Sequence, residues 1–307
     1  MKYLFLNQFS FENPKKGLSE DDILSVFTNL GLLLKNLKQI NSELIFYDNI
    51  SLFEYNQQKL IFFLQKLDRD MKILLLTKIQ KTTPFCSNSY LEYEDEENIV
   101  FGNCKTKDSG KEILENFLAC AMYLNSPIIT PKTFCDNLEF HKHTIEIECE
   151  NETQTIKNYY LEDIDTIIND CKIDIKNSVD NWGKWKKDSL PLLENISITE
   201  DFFQDVSSYS FSSIYAKSII DFAEKINSFI EGKKVNNINY DDCCSHTTQE
   251  SETRLKQFKG QLSIKNCQGK KEVANWHTRI TQDFRLYFTL DIENNKICFV
   301  KFTKKIS

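Results

Sequence analysis

Residues 276–302 read as a set of paired strands, and this pattern constrains the fold more than any other stretch. Along Trp276-His277-Thr278-Arg279-Ile280, the first, third and fifth residues fall on one side, with His277 and Arg279 on the other. Past a polar link, Phe284, Leu286 and Phe288 take the apolar side and leave Arg285 and Tyr287 opposite, because successive strand side chains alternate between faces. A polar turn around residues 291–295 leads to residues 297–302, apolar on both faces until Lys301, as a central strand requires. The pattern predicts a small antiparallel sheet with one core face and one face of His, Arg, Arg and Tyr. Residues 212–230, with Ile219, Phe222, Ala223 and Ile226 at helical spacing, form an amphipathic helix able to cover the core side.

Upstream the pattern changes from strand pairs to alternating elements. A buried strand at residues 2–6 precedes a helix through residue 39, opened by Ser19 with Asp22 three residues later. A strand at 43–47 follows, then helices over 52–67 and 71–79, with a stop at Thr83-Pro84. A helix at 111–124 and alternating strands near 144–148 and 154–159 continue an α/β layout, and helices dominate from 162 to 203. The 307 residues are enough for two domains. The expected division is an α/β domain over 1–205 and a small α+β domain over 206–307, its antiparallel sheet packed on helices.

Several function classes are excluded. Eight glycines supply no G-x-G-x-x-G, no G-x-x-x-x-G-K and no G-x-S-x-G, so recognisable dinucleotide, P-loop and serine-hydrolase motifs are absent. Apolar runs stop well short of the roughly 20 residues of a membrane span, and the N-terminal apolar stretch is too short for a signal peptide. A cytoplasmic protein with no membrane partner is expected. The ten cysteines contain no C-x-x-C pair and read as reduced thiols. Cys135, His141, His143 and Cys149, and separately Cys243, Cys244, His246 and His277, carry zinc-type donors without the spacing of a known finger or ribbon. The acidic run at 92–97 reads as a solvated loop. Asp174-Ile175-Lys176 has the D-x-K form of some metal nucleases, with Asp165 or Asp170 as an upstream carboxylate.

Charge is unevenly divided. Residues 251–307 hold twelve Lys or Arg against five acids, a net of +7, whereas the whole chain is −7, so residues 1–250 carry −14. Such a split suits a terminal module that meets a polyanion.

The string His277-Thr278-Arg279-Ile280-Thr281-Gln282-Asp283-Phe284-Arg285-Leu286, followed by an apolar strand closed by Thr303-Lys304-Lys305, resembles the RelE/ParE superfamily of bacterial toxins. The family motif is basic-x-basic-apolar-Gly-Asp-Tyr-Arg-Leu, then an apolar strand with a glycine and a basic pair. The likeness covers residues 206–307, with one extra residue in the turn and a polar insertion around 236–252. Gln282 stands where the family has glycine, and the tyrosine that some members carry near the terminus has no counterpart beyond Lys305.

The resemblance implies a sheet on a helical hairpin with a basic concave face and, for ribosome-dependent members, cleavage of mRNA through the ribose 2′-OH without metal or cofactor. It puts Arg285 at the phosphate-stabilising position, Lys305 at the terminal basic position, and His277 and Arg279 at the first-strand pair. His277 is the candidate base because its ordinary pKa lies near neutrality; Tyr287 is the candidate replacement for the missing tyrosine. Lys256, Lys259, Lys270, Lys271, Lys301 and Lys304 are the expected RNA contacts. The implied role is a toxin-like effector of toxin–antitoxin or antiphage defence, with RNA, on the ribosome, and an antitoxin or defence protein as partners. A non-catalytic binding module on the same fold remains open, since fold does not dictate reaction. So does a metal nuclease built on Asp165, Asp170, Asp174 and Lys176.

Overall fold

The computed structural model describes residues 2–46, 48–80, 104–110, 112–113, 117–149, 152–244 and 246–306. The acidic run at 92–97, the Thr83-Pro84 stop, and residues 111 and 114–116 of the helix expected over 111–124 lie outside these; where that helix is expected to begin, Glu112 instead bridges to Lys105, and the described helix is Phe117–Tyr123. The protein is mixed α/β and divides into two compact units, Met1–Asp174 and Ile175–Ser307. The second unit thus begins well before the expected boundary at 206, because a short strand near residue 197 belongs to its sheet.

In the first unit the described strands are β1 (Lys2–Leu6), β2 (Ser42–Ile45), β3 (Glu54–Tyr55), β4 (Gln58–Lys59), β5 (Lys105–Thr106), β6 (Ile128–Thr130), β7 (Thr144–Cys149) and β8 (Glu152–Tyr160). Six of them form a sheet in the order β2-β1-β6-β8-β7-β5, parallel from β2 to β8 and antiparallel beyond. The crossover from β1 to β2 is the helix Glu20–Gln39, closed at its start by a reciprocal capping box between Ser19 and Asp22. Its apolar stripe, Ile23, Val26, Phe27, Leu30, Leu33 and Leu34, is buried as the spacing predicts. Gly31 is required by a close approach, since a Cβ there would collide with the Met71 side chain. Phe11, Phe27, Phe53, Phe63 and Phe134 interlock edge to face around this core.

Two expectations are corrected here. The helix foreseen over 52–67 is instead the β3–β4 hairpin and a single helix Leu60–Leu64, because Asn56 and Gln57 turn the chain with positive φ (47° and 64°). The thiols are not all reduced: Cys104 is bonded to Cys149, and Cys267 to Cys298. Antiparallel pairing of Lys105 with Glu148 sets Cys104 opposite Cys149, a proximity that sequence spacing does not reveal. Cys120, Cys135 and Cys171 are buried thiols as expected.

In the second unit the strands are β9 (Ile196–Ile198), β10 (Thr247–Gln249), β11 (Ser263–Lys265), β12 (Lys271–Val273), β13 (Trp276–Arg279), β14 (Phe284–Asp291) and β15 (Lys296–Lys304). The main sheet runs β10-β13-β14-β15-β9, antiparallel except for β9, which lies parallel to β15. Helices Glu200–Ser207 and Ile214–Ile230, N-capped by Thr199 and Ser213, pack on one face. There Phe202, Ile219, Phe222 and Ile226 meet Leu286, Phe288, Phe299 and Phe302. The β14–β15 register shifts between Tyr287 and Phe288, which lets Phe302 and Phe299 share the core face despite their odd spacing. No helix among the described residues is long and apolar enough to cross a membrane.

The other face is not the open concave surface that the resemblance implies. Helices Glu252–Gln257 and Lys259–Leu262 and the β11–β12 hairpin lie over it, packing Leu255, Phe258, Leu262, Ile264 and Val273 against Tyr287, Cys298 and Val300. The Cys267–Cys298 bond fastens this layer to the central strand.

Candidate functional site

Cross-strand register brings the expected residues together. On β13 and β14, His277 stands opposite Tyr287 and Arg279 opposite Arg285, all on the face away from the helical core. β10 pairs with β13 and ends at Gln249, so the next residue, Glu250, enters beneath the covering layer with its backbone N–H donating to Asn275 O (2.8 Å). Its carboxylate is buried and shared among three groups. Oε2 accepts from Arg254 Nε (2.7 Å), one turn along the helix capped by Ser251. Oε1 accepts from the Tyr287 hydroxyl (3.4 Å) and lies 3.3 Å from Nδ1 of His277, an ion-pair separation off the hydrogen-bond line. Arg254 is held in turn by Ile306 O (2.8 Å).

Burial holds the His277 imidazole below its ordinary pKa; Glu250 pulls the other way, and Arg285, Arg254 and Arg279 add to the lowering. The ring is therefore biased toward its neutral form. A carboxylate at Nδ1 favours the tautomer that leaves Nε2 unprotonated, the form a general base needs. Burial, with Glu250 beside it, pushes the Tyr287 hydroxyl up to about 12, so it remains a donor.

Two assigned roles are corrected. Arg285 is only 5% exposed, and its Nη1 donates to the carbonyls of Thr281, Gln282 and Phe284 (3.1, 3.2 and 3.0 Å). It fastens the turn instead of facing a phosphate. Tyr287 is fully buried under the covering layer and cannot touch substrate.

Arg279, at the end of β13, is exposed. Lys304 and Lys305 are exposed at the same end of the sheet, where Lys304 pairs with Phe284 and Lys305 N donates to Asp283 O (2.6 Å). Lys256, Lys259, Lys270 and Lys271 are exposed on the covering layer, whereas Lys301 Nζ is tied to Gln261 O (2.9 Å).

The metal candidates do not assemble. Asp165, Asp174 and Lys176 lie on the helix Ile164–Asn177, where residues two apart point to different sides, and Lys176 pairs with Glu224 (2.9 Å). Asp170 is engaged by Lys157 (2.6 Å) and Tyr159 (2.7 Å). Cys149 is spent in a disulfide, and His141 Nε2 meets Cys135 O (2.8 Å). Among the described residues no group of three metal-type donors converges.

Glu250 and Arg254 were not foreseen. Their only sequence signal is an acid and a base four apart around a capping serine, at the end of the stretch that reads as a polar insertion and just past it. No protein-family model, no curated protein and no solved structure matches the chain.

Proposed function

We propose that the second unit is a RelE-like, toxin-like effector module that binds RNA and cleaves it through the ribose 2′-OH, with His277 as base. The observation that carries this reading is the buried Glu250 carboxylate set 3.3 Å from His277 Nδ1 beside a basic sheet end. His277 Nε2 takes the 2′-OH proton, the 2′-oxygen attacks phosphorus, the P–O5′ bond breaks to leave a 2′,3′-cyclic phosphate, and the departing 5′-oxygen takes a proton from solvent water, to which the imidazolium then returns its own. Arg279 and Lys305 meet the charged phosphorane, and exposed lysines hold the backbone. Glu250 and Arg254 position the base. The two helices and the antiparallel strands β13 to β15 that follow support reading it as a small α+β module. The wider role, in toxin–antitoxin or antiphage defence with a restraining partner, rests on the resemblance and the charge split.

A second reading, a non-catalytic RNA-binding module, is favoured by the layer that buries Tyr287 and Arg285. Incubation of the full chain with end-labelled RNA in EDTA, with and without ribosomes, separates the two. Cyclic-phosphate products that vanish in His277→Ala while RNA binding persists support the enzyme. Binding without cleavage under both conditions supports the module.

A further inference from the structure

In the first unit the chain leaves β1 toward β2 on one side, while β6 and β8 line up on the other, all four parallel. The strand order therefore reverses between β1 and β6, and in open parallel sheets ligands bind outside the carboxyl ends at such a point. A cleft of about 490 Å³ opens there, a volume within the range of small-molecule sites. It is walled by residues 15–18, which follow β1, by Lys132 and Thr133 just after β6, and by Glu162 just after β8. The strands themselves are tied by a buried polar chain. Asn7 Nδ2 donates to Thr130 Oγ1 (3.0 Å), which donates to Asn158 Oδ1 (2.7 Å).

The charges in the cleft are unequal in kind. Lys15, Lys16 and Lys132 are exposed, and among the described residues none of them is in an ion pair; Lys132 rests over the Tyr160 ring. Both carboxylates are already satisfied. Asp22 is held by the Ser19 backbone and hydroxyl (2.9 and 2.7 Å), and Glu162 accepts from Lys132 N, Thr133 N and Thr133 Oγ1 (3.3, 3.2 and 3.0 Å). The donors of the turn after β6 are thus taken up by Glu162, which leaves the lysines as the charges free to meet a ligand. Gly17, at φ +81° with open space around its Cβ position, gives the facing loop a bend that other residues resist.

We propose that this cleft binds a phosphorylated small molecule of mononucleotide size, its phosphates held by Lys15, Lys16 and Lys132. The site is independent of the RNA-cleaving face, so the two readings stand or fall separately. The cleft supplies cations but no group of metal ligands, and its function in this account is binding.

Calorimetric titration of the full chain with ATP, pyrophosphate and adenosine tests it. ATP and pyrophosphate are expected to bind and adenosine not to, with the phosphate-dependent binding weakening as salt rises. Triple replacement K15Q/K16Q/K132Q removes exposed charges and one surface contact, that of Lys132 with the Tyr160 ring, so the protein still folds with a melting temperature within a few degrees of the wild type, and ATP affinity falls by about tenfold or more. Lys35→Gln, on the helix Glu20–Gln39 about four turns beyond the cleft residue Asp22, leaves ATP affinity unchanged. Failure of both ATP and pyrophosphate to bind the folded protein at about 5 mM overturns the proposal. So does equal ATP affinity in the triple variant and the wild type, or adenosine binding as tightly as ATP.

Discussion

Glu250 and His277 meet at the β10–β13 edge with Oε1 3.3 Å from Nδ1, the carboxylate only 3% exposed. Arg254 balances the acid from the other side at 2.7 Å, so the imidazole faces a carboxylate without being held protonated.

That pairing fixes the direction of a pH shift. Burial and three arginines lower the His277 pKa, and Glu250 opposes them. In Glu250→Gln the opposing charge is gone, so protonation becomes harder still. The acid limb of the cleavage rate, where neutral imidazole is lost, should move to lower pH. The rate on the plateau should fall about 10²-fold or more, because the carboxylate that favours the tautomer with a free Nε2 is gone. An unmoved limb removes Glu250 from the site's electrostatics.

Stability should carry the same signature. With a folded pKa below the ordinary 6.5, His277 resists a proton that the unfolded chain accepts. Its contribution is full above pH 6.5 and is lost as pH falls through the lowered folded value. Urea midpoints at about pH 7.5 and 5.5 should therefore drop more in the wild type than in His277→Gln. Equal drops contradict this.

The two arginines of the turn should separate cleanly. Arg285→Ala frees the carbonyls of Thr281, Gln282 and Phe284, and should cost about 1–3 kcal/mol in denaturant unfolding. Arg279→Ala, at an exposed position, should stay within about 0.5 kcal/mol yet weaken RNA binding. The reverse ranking would return Arg285 to the phosphate.

What the sequence shows and hides follows from range. The Ser19–Asp22 capping box, the apolar stripe after it, and the alternation that sets His277 against Tyr287 are local patterns, and all are present in the structure. The hidden features are non-local. Ile196–Ile198 is three residues long and gains strand character only by lying along β15. Leu255, Phe258, Leu262, Ile264 and Val273 are spread through a polar segment, so their joint cover over Tyr287 has no period to detect. Because that cover was illegible, Arg285 and Tyr287 read as surface groups, and Glu250 read as one more polar loop residue.

The covering layer should depend on its covalent fastening. The Cys267–Cys298 bond closes a loop with a sequence separation of 31 residues, so the Cys267→Ser/Cys298→Ser protein should lose about 3–4 kcal/mol. Limited proteolysis should then cut first within residues 259–274. Unchanged stability and an unchanged cleavage map would mean that apolar packing alone holds the layer.

The most direct test of the central claim is the RNA cleavage rate of the full chain in EDTA, wild type against His277→Ala, with RNA affinity measured alongside. General-base catalysis by His277 predicts a fall of about 10²- to 10⁴-fold at unchanged RNA affinity. Rates within about twofold of each other, or cleavage abolished by EDTA, would contradict the account.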